Sequence, residues 1–149
     1  MAFVPSCILH DAPPPVFLAS ALSRDAAIHA VVAGWDGHPS VPGPLEAIEA
    51  AILEREALMS TALPNGIAFP HARSALVTAP VAAFGRCESL VSFGEVPVWL
   101  IVAVATPPSQ TVEHLQLLSW FTRRCAEAAV LAKLREASTP DAFRAAFAG

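Results

Sequence analysis

The run Pro97-Val98-Trp99-Leu100-Ile101-Val102-Ala103-Val104-Ala105, "PVWLIVAVA", decides how the rest of the chain is read. It is continuously apolar and rich in β-branched residues. A strand with one wet face would alternate apolar and polar side chains, so this run predicts a strand buried on both faces. Covering layers must lie on each side of it, and the flanking sequence supplies helices. Ser23 can cap a helix that runs to about Trp35, with Ala26, Ala27, Ile28, Val31 and Val32 apolar. Gly34, Gly37, Pro39, Pro42 and Gly43 then mark a loop. A second helix is expected from about Pro44 to Met59, with Leu45, Ile48, Ile52 and Met59 on one stripe. Gly66 to Phe69 and Pro80 to Gly85 read as short strands. After the buried run, a helix is expected from Gln110 to about Ala126 and a shorter one to Ala137. Thr139-Pro140 forms an N-cap and N1 pair for the last helix. Helices interleaved with buried strands predict an α/β layered fold with helices on both faces of the sheet. Residues 1–149 are expected to form one domain, with 1–17 as an N-terminal extension or edge segment.

Composition agrees with a single core. The chain has 149 residues, 54% hydrophobic and 15% charged. Nine basic against thirteen acidic residues give a net charge of −4 with no basic cluster, which argues against a nucleic-acid partner. Cys7, Cys87 and Cys125 show no C-x-x-C spacing and read as free thiols in a reducing compartment. The apolar segments Phe3–Leu9 and Val16–Leu22 lack a preceding Lys or Arg and are split by Pro13-Pro14-Pro15, so a secretory signal is not expected. Val96 to Ala105 falls far short of the roughly 20 residues that a membrane helix needs. The expectation is a soluble, cytoplasmic protein without membrane insertion.

A smaller set of residues carries chemistry. At about 100° per residue, Arg55 falls beside the Ile48/Ile52/Met59 stripe. Either its stem snorkels along apolar surface, or its guanidinium is aimed at an anion across a cleft. His114 lies near the centre of the arc formed by Leu115, Leu118, Phe121 and Cys125, while Gln116, Ser119 and Arg123 face away. Taken alone it reads as a core histidine, but its place in the first turn of a helix favours a neutral ring and nearby anions. His71 follows Pro70, which fixes its own φ and holds Phe69 extended, so the imidazole stands at a strand end where α/β ligands gather. His10, His29 and His38 have no comparable setting and read as surface or packing residues.

Metal binding is disfavoured, because no H-E-x-x-H, close His pair or Cys pair occurs. A serine hydrolase is disfavoured by the absence of G-x-S-x-G, and nucleotide binding by the absence of a P-loop. No cofactor is expected. Phosphoryl chemistry fits better. A neutral imidazole is a good nucleophile near neutral pH, a guanidinium can hold phosphoryl oxygens, and a second histidine can hydrogen-bond to them. The phosphoryl group would come from another protein.

The pieces "RE" at Arg55-Glu56, "ST" at Ser60-Thr61, "NGIAFPHAR" from Asn65 and "EHLQLL" from Glu113 resemble the fructose/mannitol-type IIA domains of the bacterial phosphotransferase system, a family that includes the nitrogen-regulatory IIA proteins. The resemblance runs from about Leu18 to Phe147. It implies a mixed β-sheet covered by helices. It also implies a phosphorylated histidine at His71, a phosphate-contacting arginine at Arg55 and a second active-site histidine at His114. The implied donor is an HPr-type phosphocarrier protein, and the implied acceptor is a IIB domain. In the nitrogen-regulatory alternative, the phosphorylation state controls a transporter or kinase. A degenerate domain that keeps the fold without the chemistry is the third reading, opposed by the presence of all three residues. Two departures stand out. Pro64 occupies a position where the family commonly has glycine, and "CESLVSFGEV" (Cys87–Val96) reads as a shorter, less acidic link. No IIB or IIC segment is expected in this chain.

Overall fold

The structure, a computed structural model, describes residues 8–148. Its centre is the strand the sequence singles out, β5 in chain order. The elements are α1 (Ile8–Asp11), β1 (Val16–Leu18), α2 (Arg24–Val32) with a 3-10 turn at Ala33–Trp35, α3 (Leu45–Leu58), β2 (Ile67–Ala68), β3 (His71–Arg73), β4 (Val81–Phe93), β5 (Val96–Thr106), α4 (Thr111–Arg124), α5 (Ala128–Glu136) and α6 (Pro140–Ala148). The five strands form one mixed sheet in the order β1-β4-β5-β2, with β3 also on β5. β4 and β5 are antiparallel, and β1, β2 and β3 pair parallel with their neighbours.

The two faces of β5 go into two separate cores. Val98, Ile101, Ala103 and Ala105 pack with Ile28, Val31, Trp35, Ile48 and Ile52 of the α2–α3 side. Trp99, Leu100, Val102 and Val104 pack with Leu117, Phe121, Leu134, Phe143 and Phe147 of the α4–α6 side. This is why the run contains no polar residue: every position from Val98 to Ala105 is buried. Each large apolar side chain so covered stabilises by roughly 1.5–3 kcal/mol, which makes β5 the main beneficiary of helix packing. The helix starts follow the local chemistry. The Ser23 hydroxyl accepts from the Ala26 amide at 3.1 Å, and Thr139 Oγ1 accepts from the Ala142 amide at 3.1 Å.

Several local expectations are corrected. The predicted strand Pro80–Gly85 is instead Val81–Phe93, and Cys87–Val96 is not a link but the far half of a hairpin. Phe93 pairs with Val96 across a two-residue loop in which Gly94 takes φ 62°, the left-handed geometry that tight hairpins require. The register shifts between Arg86 and Val91, which hides the strand's alternation in the sequence. Met59 does not join the α3 stripe. The helix ends at Leu58, Met59 is extended and 70% exposed, and the buried fourth place belongs to Glu56. On α4 the buried stripe is His114, Leu117 and Phe121, continued by Cys125, while Leu115 is 62% exposed. Packing therefore turns the buried arc about half a residue step from the predicted one, with His114 anchored inward by Thr106.

Pro64 also has an account. A turn closes from the Gly66 amide to the Leu63 carbonyl at 3.0 Å, so Pro64 sits at its second position, where a φ fixed near −65° is favoured. The positive φ falls on Gly66, at 84°, and a Cβ there would come within 2.7 Å of the Trp99 ring. Among the described residues Cys87 and Cys125 are free and buried; Cys7 lies outside them. No helix among the described residues is long and apolar enough to cross a membrane.

Candidate active site

β2 and β3 form one interrupted edge strand. Ile67 and Ala68 pair with Leu100 and Ile101, and His71, Ala72 and Arg73 pair with Val104, Ala105 and Thr106, so the register does not slip across Phe69-Pro70. His71 thus opens the second half of the strand instead of closing the first, as the sequence suggested. Pro70 breaks the ladder because it has no amide proton to donate. An edge strand leaves one row of backbone groups without a neighbouring strand. Here the Ile67 carbonyl accepts from the Leu63 amide at 2.8 Å, and the Phe69 amide donates to Thr61 Oγ1 at 3.1 Å. The Phe69 carbonyl takes its partner from the site itself, lying 2.8 Å from His71 Nδ1. Because a carbonyl can only accept, Nδ1 carries the ring proton and Nε2 is the uncommitted nitrogen of His71.

His114 comes from the first turns of α4, and its ring centroid lies 5.3 Å from that of His71. His114 is 6% exposed, and its Nδ1 lies 2.6 Å from the Thr106 hydroxyl at the end of β5. Thr106 is completely buried, and its hydroxyl has no other partner among the described residues, so its proton goes to His114 Nδ1. Nε2 of His114 then keeps the ring proton. The two rings are held in opposite tautomers, one presenting a lone pair and the other an N–H.

Arg55 completes the cleft from the last turn of α3. It is half-buried beside the Ile48/Ile52 stripe, and its Nη1 donates to the Met59 carbonyl at 2.9 Å, one of the carbonyls left over at the helix end. The cleft has a volume of about 310 Å³ and is lined by Arg55, Leu58, His71, Ala72, Arg73 and His114, with Ala51 and Glu54 on the helix side. Arg73, the last residue of the "NGIAFPHAR" piece, reaches from β3 to the loop before α4. Its Nη2 donates to Thr111 Oγ1 at 2.5 Å and to the Pro108 carbonyl.

Both imidazoles are held neutral. Burial lowers the His71 pKa, the Phe69 carbonyl opposes that, Arg55 lowers it further, and Glu56 raises it. Burial, His71 and Arg73 together push His114 down to about 4. Among the described residues no three His, Cys, Asp or Glu side chains converge on a point that could hold a metal ion.

Two polar residues behind the cleft escaped the sequence reading. Glu56 is 2% exposed; its Oε1 accepts from the Thr61 hydroxyl at 2.6 Å and its Oε2 from the Thr61 amide at 2.8 Å. A buried carboxyl group without such partners costs several kcal/mol, so a glutamate one turn beyond Ile48 and Ile52 on the same stripe was the available signal. Thr106 left no signal of this kind, since a threonine at the end of a strand is common.

Residues 40–149 match the model of a family described as "Phosphoenolpyruvate-dependent sugar phosphotransferase system, EIIA 2". The chain belongs to that family. Relatives of this EIIA 2 domain include the "PTS system 2-O-alpha-mannosyl-D-glycerate-specific EIIABC component" of Escherichia coli K12, 32% identical over 124 residues that make up 80% of this chain. The chain spans only 19% of that protein's length. The "Nitrogen regulatory protein" of the same organism is 34% identical over 102 residues, 66% of this chain and 63% of that protein. The crystal structure of nitrogen regulatory protein IIA-Ntr from Neisseria meningitidis superposes with a TM-score of 0.84 at 25% identity, covering 95% of this chain and 99% of that one. The same fold, at a TM-score of 0.73 and 22% identity over 90% of this chain and 94% of that one, occurs in the complex of mannitol enzyme IIA with phosphorylated mannitol enzyme IIB from Escherichia coli.

Proposed function

We propose that the protein is a cytoplasmic phosphoryl carrier of the phosphotransferase system, with His71 as the acceptor. The observation that carries this reading is the pair of rings at 5.3 Å whose Nδ1 atoms are engaged by the Phe69 carbonyl and the Thr106 hydroxyl, an arrangement in which His71 offers the Nε2 lone pair and His114 an Nε2 proton. In the transfer, the nitrogen–phosphorus bond of a phosphorylated HPr-type donor breaks as a bond from His71 Nε2 to phosphorus forms. The His71 Nδ1–H keeps its proton and its hydrogen bond to the Phe69 carbonyl, which favours the positive ring that develops. His114 and the Arg55 guanidinium supply donors to the phosphoryl oxygens, where charge must be held. The phosphoryl group then passes to a IIB domain by the reverse of the same step.

A regulatory reading has its own support in the likeness to nitrogen regulatory proteins. In that reading the same phospho-His71 controls contacts with a transporter or kinase, and no IIB partner is needed.

The decisive experiment is to incubate the protein with a phosphorylated HPr-type donor and look for acid-labile, base-stable phosphate. Labelling is expected on the parent and lost in His71→Ala, with both proteins folded. Undiminished labelling of His71→Ala would overturn the assignment. Transfer of label onward to purified IIB domains separates the carrier reading from the regulatory one.

A further inference from the structure

The contacts behind His71 form one continuous chain. The Glu56 carboxylate accepts the Thr61 hydroxyl proton at 2.6 Å. That fixes the hydroxyl rotor and turns the Thr61 Oγ1 lone pairs toward the Phe69 amide, 3.1 Å away. The Phe69 carbonyl in turn accepts from His71 Nδ1 at 2.8 Å. We propose that Glu56 and Thr61 are positioning residues for His71, holding its ring in the Nδ1–H form by fixing the Phe69 backbone. This rests on the reading of His71 as the phosphoryl acceptor.

The physical argument concerns which nitrogen carries the proton. A neutral imidazole left to itself keeps its proton mainly on Nε2, which would block the nucleophile proposed here. An acceptor at Nδ1 reverses that preference, and the acceptor must be aimed correctly. The Phe69 carbonyl belongs to an edge strand at a proline break, where no neighbouring strand fixes it. Two constraints replace the missing ladder. Pro70 limits the backbone on the carbonyl side of Phe69, and the Thr61 bond pins its amide side. Thr61 can do this only while its own proton is taken up, and Glu56 takes it. Glu56 is 2% exposed, so it affects transfer without touching the donor protein. A role confined to closing the loop after α3 would not require the Thr61 oxygen to reach the strand.

The test reads the tautomer directly. Long-range proton–nitrogen correlation spectra of the His71 ring, recorded above neutral pH, report whether Nε2 is protonated. They are compared for the parent, Thr61→Ser, Thr61→Val and the double variant Glu56→Gln/Thr61→Val, which removes the buried charge together with its hydroxyl partner. Labelling rates from the phosphorylated donor are measured on the same samples. Thr61→Ser should keep the parent tautomer and rate. Thr61→Val and the double variant should shift His71 toward the Nε2–H form and lose at least about tenfold in maximal rate with the apparent KM for the donor unchanged. A folded Thr61→Val or double variant that keeps the Nδ1–H form and the parent rate overturns the proposal. If the parent takes no label, the phosphoryl reading fails instead, and the spectra still decide the positioning role.

Discussion

His71 and His114 meet at 5.3 Å between ring centroids, yet nothing local brings them together. His71 stands on the edge strand, and His114 on a helix that packs on one face of the sheet. Arg55 reaches them from a helix on the other face. The cleft lies at the ends of parallel strands β3 and β5, where both helical layers reach the same point. The pair also links the ionisation of the two rings, since His71 helps to lower the pKa of His114.

Acid should destabilise the fold through His114. Its pKa in the folded protein is about 4, against an ordinary value of 6.5. The unfolded chain therefore binds more protons between those two values. Stability is full above about pH 6.5 and falls as pH drops through the window towards 4, by roughly 2–4 kcal/mol from this residue. Urea midpoints measured across that range should fall more steeply for the parent than for His114→Gln. Identical pH slopes for the two proteins would show that His114 is not the buried neutral group described.

Arg55 should matter more for transfer than for folding. Losing a charge-assisted contact to the phosphoryl group should slow labelling about ten- to a hundredfold, equivalent to roughly 1.5–3 kcal/mol. Losing the bond to the Met59 carbonyl at the exposed helix end should cost only about 0.5–1.5 kcal/mol of stability. Arg55→Lys should rescue labelling poorly, because it lacks the planar fork that fits two oxygens. Labelling rates and thermal midpoints of Arg55→Ala and Arg55→Lys check this side by side. Two variants that melt far below the parent would make Arg55 a structural residue.

The rim of the cleft should carry the donor contact. Leu58 and Met59 at the end of α3 and Val112 and Leu115 on α4 are 80%, 70%, 62% and 62% exposed, apolar side chains on the two elements that supply Arg55 and His114. Leu115→Glu should raise the apparent KM for the phosphorylated donor about tenfold, while its thermal stability changes within about 0.5 kcal/mol. An unchanged KM in Leu115→Glu would move the docking face elsewhere.

The layered fold was legible in the residues alone, because "PVWLIVAVA" can be buried on both faces only if helices cover each side, and because caps such as Ser23 and Thr139 act within a few residues of themselves. A strand break beside His71 was legible for the same local reason, since Pro70 dictates the geometry of its neighbours, but not that His71 opens the second half of the strand instead of closing the first. The motif pieces carried Arg55 and His114 as separate clues, each with a bland alternative. Only the tertiary structure decided that they share one cleft, since that depends on which ends of the sheet the two helical layers reach. It also decided the tautomers. The partners of the two Nδ1 atoms, the Phe69 carbonyl and the Thr106 hydroxyl, gain their roles from a broken edge strand and a strand terminus that no periodicity records. Glu56 falls on the Ile48/Ile52 stripe in sequence, but its partners are not legible there. It is buried because the loop after α3 folds back and gives its two oxygens two donors.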